Sequence, residues 1–194
     1  MPDLFLWAAA LTLAATSIGL LINHNWRWVL GFFSLQYFAS FWLVVPNWPL
    51  SMSTTMLVAG WMAAAVLGMT KVNMRRESSE ETFWPQGRIF RLLCAGLVIL
   101  TISARFQNIS EWFPESHQAI TWGALVLISM GLLHLGMTLR PLSVILGLLT
   151  ALSGFQILYA FVENSVLVTG LLAAVTLGLA LIGCYLLLLG EQAT

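Results

Sequence analysis

A chain of 194 residues that is 59% hydrophobic, only 8% charged and formally neutral, with a mean hydropathy of +0.89, lies far from the soluble norm of about 25% charged residues. This composition leaves little for a soluble domain and nothing basic enough to hold nucleic acid. It describes an integral membrane protein, all-α by the length of its apolar runs.

About 20 apolar residues are needed per crossing, and the chain divides almost completely into seven predicted helices. The first, Leu4 to Ile22, has neither a basic leading region nor a small-residue cleavage site, so it reads as a retained span. The second, Trp28 to Val45, carries Gln36 near its middle, and an amide in lipid is costly unless bonded. The third, Ser51 to Thr70, places Gly60, Ala64 and Gly68 at four-residue spacing. The strip KVNMRRESSEETFWPQGRIFR, Lys71 to Arg91, follows. It reads as a solvated linker, and more sharply as a docking strip whose basic and aromatic residues meet anionic headgroups or a partner subunit.

The fourth helix, Ile89 to Ala104, is the weak point. Only thirteen residues separate Arg91 from Arg105, so both arginines must snorkel for it to cross; without it there are six spans. The loop Arg105 to His117 contains the sequon Asn108-Ile109-Ser110, expected to be unmodified. The fifth and sixth helices, Ile120 to Leu139 and Leu142 to Val162, hold His134 and Gln156. The seventh, Ser165 to Leu189, repeats the small-residue spacing as Gly170, Ala174 and Gly178.

An internal repeat orders these elements. SIGLLI (Ser17 to Ile22) matches SMGLLH (Ser129 to His134), VLGFFS (Val29 to Ser34) matches ILGLLT (Ile145 to Thr150), and the two ladders match each other, all at offsets of 110 to 116 residues. Three regions follow: an N-terminal three-helix half (1–70), a linker with the fourth helix and outer loop (71–119), and a C-terminal three-helix half (120–194). With seven spans the halves point the same way, a parallel repeat. The ladders read as packing seams, because helices in lipid associate by close backbone approach at small residues.

The positive-inside rule favours an external N-terminus and a cytoplasmic C-terminus. That orientation puts Arg27, Lys71, Arg75, Arg76, Arg88, Arg91 and Arg140 inside and only Arg105 outside, with Arg27 and Arg140 as cytoplasmic anchors. Trp7, Trp42, Trp48, Trp112 and Trp122 then lie near the outer boundary and Trp26, Trp28 and Trp84 near the inner one, an interfacial belt that leaves Trp61 mid-span. The setting expected is a bacterial inner membrane.

Ion paths through membranes are marked by buried ionisable groups, yet no predicted helix centre contains Asp, Glu or Lys. The mid-membrane polar groups are Gln36, His134, Thr150, Ser153, Gln156 and Tyr159. Gln36, His134, Gln156 and Tyr159 are therefore the candidates for a polar path or for interhelical contacts. His24 and His117 fall at opposite edges, so no facing pair exists for a haem, and His134 reads as an interhelical bond donor before a pigment ligand. Cys94 and Cys184 have no C-x-x-C or metal-ligand spacing and read as inert packing residues. No cofactor, catalytic residue or metal site is expected.

The segment Arg27-x-x-x-Gly31-Phe32-Phe33-x-x-Gln36, between a preceding helix and a following one across a short loop, resembles the second helix of component E of the hydrogenase-four group of energy-converting membrane hydrogenases. The stretch GALVLISMGLLHLGMTLRPLSVILGLLTALSGFQILYAF, Gly123 to Phe161, is similar to the three-helix subunit K of respiratory complex I, with a basic residue, Arg140, opening its middle helix. The resemblance implies an accessory subunit without catalysis of its own, packed beside antiporter-like subunits in a complex that couples electron transfer to proton or sodium translocation. The family patterns would place a buried glutamate near Leu149 and a third-helix lysine near Met56, and this chain has neither charge. Two other readings stay open: a small-solute transporter or permease, which the repeat favours, and a scaffold of a photosynthetic or other respiratory assembly in which His134 would ligate a pigment.

Overall fold

The computed structural model describes residues 2–23, 25–73, 85–110, 118–138 and 140–192. Those residues form seven helices: α1 (Pro2–Ile22), α2 (Trp26–Val44), α3 (Leu50–Asn73), α4 (Pro85–Ser110), α5 (Gln118–Met137), α6 (Pro141–Val162) and α7 (Val166–Gln192). The all-α membrane fold of seven helices expected from the sequence is the fold observed. His24, His117, Trp84, Trp112, the sequon side chains and most of the 71–91 strip lie outside the described residues.

Local chemistry sets the breaks. Asn25 caps α2 by accepting the Arg27 backbone N–H at 3.3 Å, and Pro46 and Pro49, which donate no backbone hydrogen bond, close the turn between α2 and α3. Arg140 is the N-cap residue of α6, with Pro141 in its first turn, where the missing N–H costs nothing.

Among the described residues, six helices are long and apolar enough to cross a membrane, and α4 is one of them through Gly87–Phe106. The doubtful fourth span is therefore a helix of 26 residues, roughly 39 Å at about 1.5 Å per residue. The helix that falls short on hydropathy is α2, whose 19 residues include three tryptophans, Arg27 and Gln36. It is nonetheless enclosed by three neighbours, packing on α1, α3 and α6. Short connections at both of its ends make it run antiparallel to α1 and α3 through the same thickness.

The helices form two rows of three. Within each row consecutive helices pack in chain order, α1 on α2 on α3 and α5 on α6 on α7, and across the rows α1 lies on α5, α2 on α6 and α3 on α7. The partners run parallel. Trp7 meets Trp122 at 6.1 Å near one end, Gln36 meets Ser153 in the middle, and the Trp48 indole donates to the Glu163 carbonyl at 3.2 Å where α2 and α6 finish. The contacting residues are thus separated by about the same interval as the sequence repeat. Helix α4 stands apart from both rows against α1 and α5, with almost all of its apolar surface outward.

Charge and aromatic residues sort by end. Arg27, Lys71, Arg88, Arg91 and Arg140 lie at helix ends on one side of the bundle, and Arg105 at the other. Arg27 sits 5.5 Å over the Trp26 ring, and Arg91 donates to the Leu21 carbonyl at 3.4 Å, capping the last turn of α1. Trp61, the mid-span tryptophan, donates its indole N–H to the Ser34 carbonyl at 3.1 Å, which removes the cost of that polar group in lipid.

Glycines decide how closely the rows pack. A Cβ at Gly131 would lie 2.6 Å from the Ala151 nitrogen, and one at Gly154 would lie 2.8 Å from the Ala124 carbonyl oxygen, so α5 and α6 approach backbone to backbone. Gly60 receives the flat ring of Tyr37, and Gly68 the Leu30 side chain; with Ala64 buried beside them, the α3 ladder is a true seam against α2. The α7 ladder differs from what its spacing led us to expect. Among the described residues, a Cβ at Gly170 or Gly178 would meet nothing, and Ala174 is exposed, so the ladder does not serve as a seam against any described helix. The buried stripe of α7 runs through Thr169, Thr176, Ala180, Cys184 and Leu187, with Gly183 against Leu67 and Ile145. Four-residue spacing defines a stripe but not the direction it faces.

Replacing Gly131 or Gly154 by Ala should therefore lower stability by about 1 to 3 kcal/mol, the usual cost of overpacking. The same change at Gly170 or Gly178 should cost nothing. Thermal unfolding of the four variants in one detergent checks the contrast.

Candidate functional site

Buried polar side chains are densest along the α2–α6 contact, with buried hydroxyls on α1, α3, α5 and α7 and His134 on α5 elsewhere. Gln36, Tyr37 and Ser40 come from one side of α2, and Thr150, Ser153 and Gln156 from one side of α6; all six are buried. Thr176 of α7 closes the group. The Gln36 Nε2 donates to Ser153 Oγ at 3.4 Å, the Tyr37 hydroxyl donates to the Leu149 carbonyl at 3.4 Å and stands near Thr176, and the Gln156 Nε2 donates to Thr176 Oγ1 at 3.4 Å. These are long bonds, at the weak end of the useful range.

The direction of each amide follows from the hydroxyl it meets. Ser153 spends its proton on the Thr150 carbonyl at 2.8 Å, and Thr176 spends its proton on the Leu172 carbonyl at 2.8 Å. Each hydroxyl can then only accept, so each glutamine must present its N–H group. Both carbonyl oxygens, Gln36 Oε1 and Gln156 Oε1, are left buried without a protein partner, as is Ser40 Oγ. A buried acceptor without a partner costs about 1 to 3 kcal/mol.

The four candidate polar residues do not share one site. Gln36 and Gln156 belong to the same seam, Gln36 bonded to Ser153 and Gln156 to Thr176. Tyr159 lies further along α6, edge-on against Trp48 at 6.1 Å and bonded to the Glu163 carboxylate at 3.5 Å, a contact at the bundle end. His134 is buried near the end of α5, on a helix that contributes nothing to the seam. Among the described residues, no three His, Cys, Asp or Glu side chains come together in a way that could hold a metal ion. Cys184 is buried and Cys94 half-buried.

Tyr37, Ser40 and Thr176 were not anticipated from sequence. Ser40 had a legible signal, since it follows Gln36 by four residues and must share its helix face. Thr176 had none, because it sits between ladder residues that turn out to face elsewhere.

What the seam can do chemically is limited by its groups. Every member is a neutral donor or acceptor, able to orient a polar molecule or fix one helix on another but unable to hold charge. Removing the bonded partner should hurt more than removing the amide. Ser153→Ala strands the Gln36 N–H group and should cost about 1 to 3 kcal/mol, whereas Gln36→Met, which removes the amide and keeps its volume, should cost about 1 kcal/mol or less, in line with interhelical bonds in membranes. Reversible unfolding in mixed micelles checks the order of the two.

No family model, curated protein or solved structure matches this chain.

Proposed function

We propose that this protein is a non-catalytic membrane subunit of a larger ion-translocating complex related to respiratory complex I or the membrane hydrogenases, and that it packs beside antiporter-like subunits. The observation that carries the reading is the outward α7 ladder. Gly170, Ala174 and Gly178 form a small-residue stripe that meets no helix among the described residues, and such stripes are the surfaces on which membrane helices approach one another. The neutral α2–α6 seam supports it as well, since a chain whose central seam holds only amides and hydroxyls is suited to sealing or supporting a path whose charges a neighbour supplies. The resemblance of the Arg27 to Gln36 and Gly123 to Phe161 segments points to the same class of complex.

The protein sits in this reading in a bacterial inner membrane with the basic end, including Arg27 and Arg140, in the cytoplasm. The C-terminus is then cytoplasmic. A C-terminal GFP fusion should be bright and an alkaline phosphatase fusion inactive; strong phosphatase activity would reverse the orientation.

The transporter reading draws support from one feature, the position of a polar seam between two parallel halves, but the same seam offers no charged group to hold a charged substrate. Blue-native electrophoresis from a mild detergent, with mass spectrometry of the bands, separates the two. Comigration with antiporter-like subunits is expected, lost in Gly170→Leu and Gly178→Leu variants that still fold. Migration only as a monomer or homodimer would remove the subunit reading.

A further inference from the structure

The unpartnered polar atoms of the seam lie close together along the helices. Gln36 and Ser40 are one turn apart on α2, Ser153 and Gln156 one turn apart on α6, and because the two helices run parallel with Gln36 opposite Ser153, Ser40 stands at the level of Gln156. Gln36 and Ser40 are wholly inaccessible and Gln156 is 3% exposed. Their chemistry is complementary to one small molecule. Gln36 Oε1 and Gln156 Oε1 need donors, and Ser40 carries a hydroxyl with neither its proton nor its lone pairs engaged.

We propose that the α2–α6 seam is a water-binding site, in which water donates to Gln36 Oε1 and Gln156 Oε1 and accepts from the Ser40 hydroxyl. Three polar partners are what a buried water in a protein typically makes. Buried apolar side chains flank it along the membrane normal. Phe33 and Leu149 on one side, and Leu43, Val44 and Ile157 on the other, are fully buried apolar residues on the adjoining turns of the same two helices. The bound water is therefore enclosed and does not belong to a file of water across the membrane. It completes the hydrogen bonding of two amides whose N–H groups are already committed, and it bridges the two halves at a point where the direct bonds are long. This site stands whether or not the chain belongs to a larger assembly.

The direct test is a density map of the full-length protein at a resolution that shows ordered solvent. A solvent peak within hydrogen-bond distance of at least two of the three atoms is expected; a seam in which the three atoms bond one another, or stand dry, would overturn the site. An independent test uses melting temperatures of Ser40→Ala, Gln156→Met and the double variant. Two residues linked through one water should be non-additive, the double variant melting no lower than the worse single one. Shifts that simply add would count against a shared water.

Discussion

Lipid offers no hydrogen bonds, so every polar group carried into the bundle must be satisfied by another part of the bundle or by something it encloses. That constraint is concentrated at Gln36. Its amide is wholly buried, its N–H group reaches across to Ser153 on α6, and the α2–α6 contact it marks is where the two three-helix rows meet at their centre. Around it, Tyr37 lies flat on Gly60 of α3 and bonds the backbone of α6, and Gln156 ties α6 to α7. Four of the seven helices are thus positioned by neutral polar groups within two turns of one another.

The rest of the packing is of another kind. Contacts between α5 and α6 depend on backbone proximity at Gly131 and Gly154, and one end of the bundle is fixed by indole N–H bonds, Trp48 to Glu163 and Trp122 to Ser103. The Trp122 bond joins α4 to the main body. Helix α4 otherwise presents leucine, isoleucine and phenylalanine outward, a surface compatible with lipid. The bundle is therefore specified by polar bonds at its centre, small residues between neighbours and aromatic donors at its boundary.

Much of this was legible in the sequence. Helix bounds follow from apolar run length and from Pro and Asn breaks, and the offset of SIGLLI, VLGFFS and the ladders is close to the separation of the residues that meet between the two rows. The direction of a stripe was not legible. Gly60 and Gly170 have the same spacing around them, yet one receives Tyr37 and the other faces outward, because the rotation of each helix is set by larger neighbours such as Tyr37, Leu67 and Ile145. The hydropathy of α2 was misleading in the opposite sense: its aromatic and amide content lowers its score while supplying the contacts that hold the centre together.

A closed seam of neutral groups cannot carry ions by itself. The most direct test of that claim is ion flux into liposomes containing the purified protein, followed with a pH-sensitive dye under an imposed proton or sodium gradient. Flux equal to that of protein-free vesicles is the predicted result. A leak above that level which disappears in Gln36→Leu would contradict it and make Gln36 part of a conducting path.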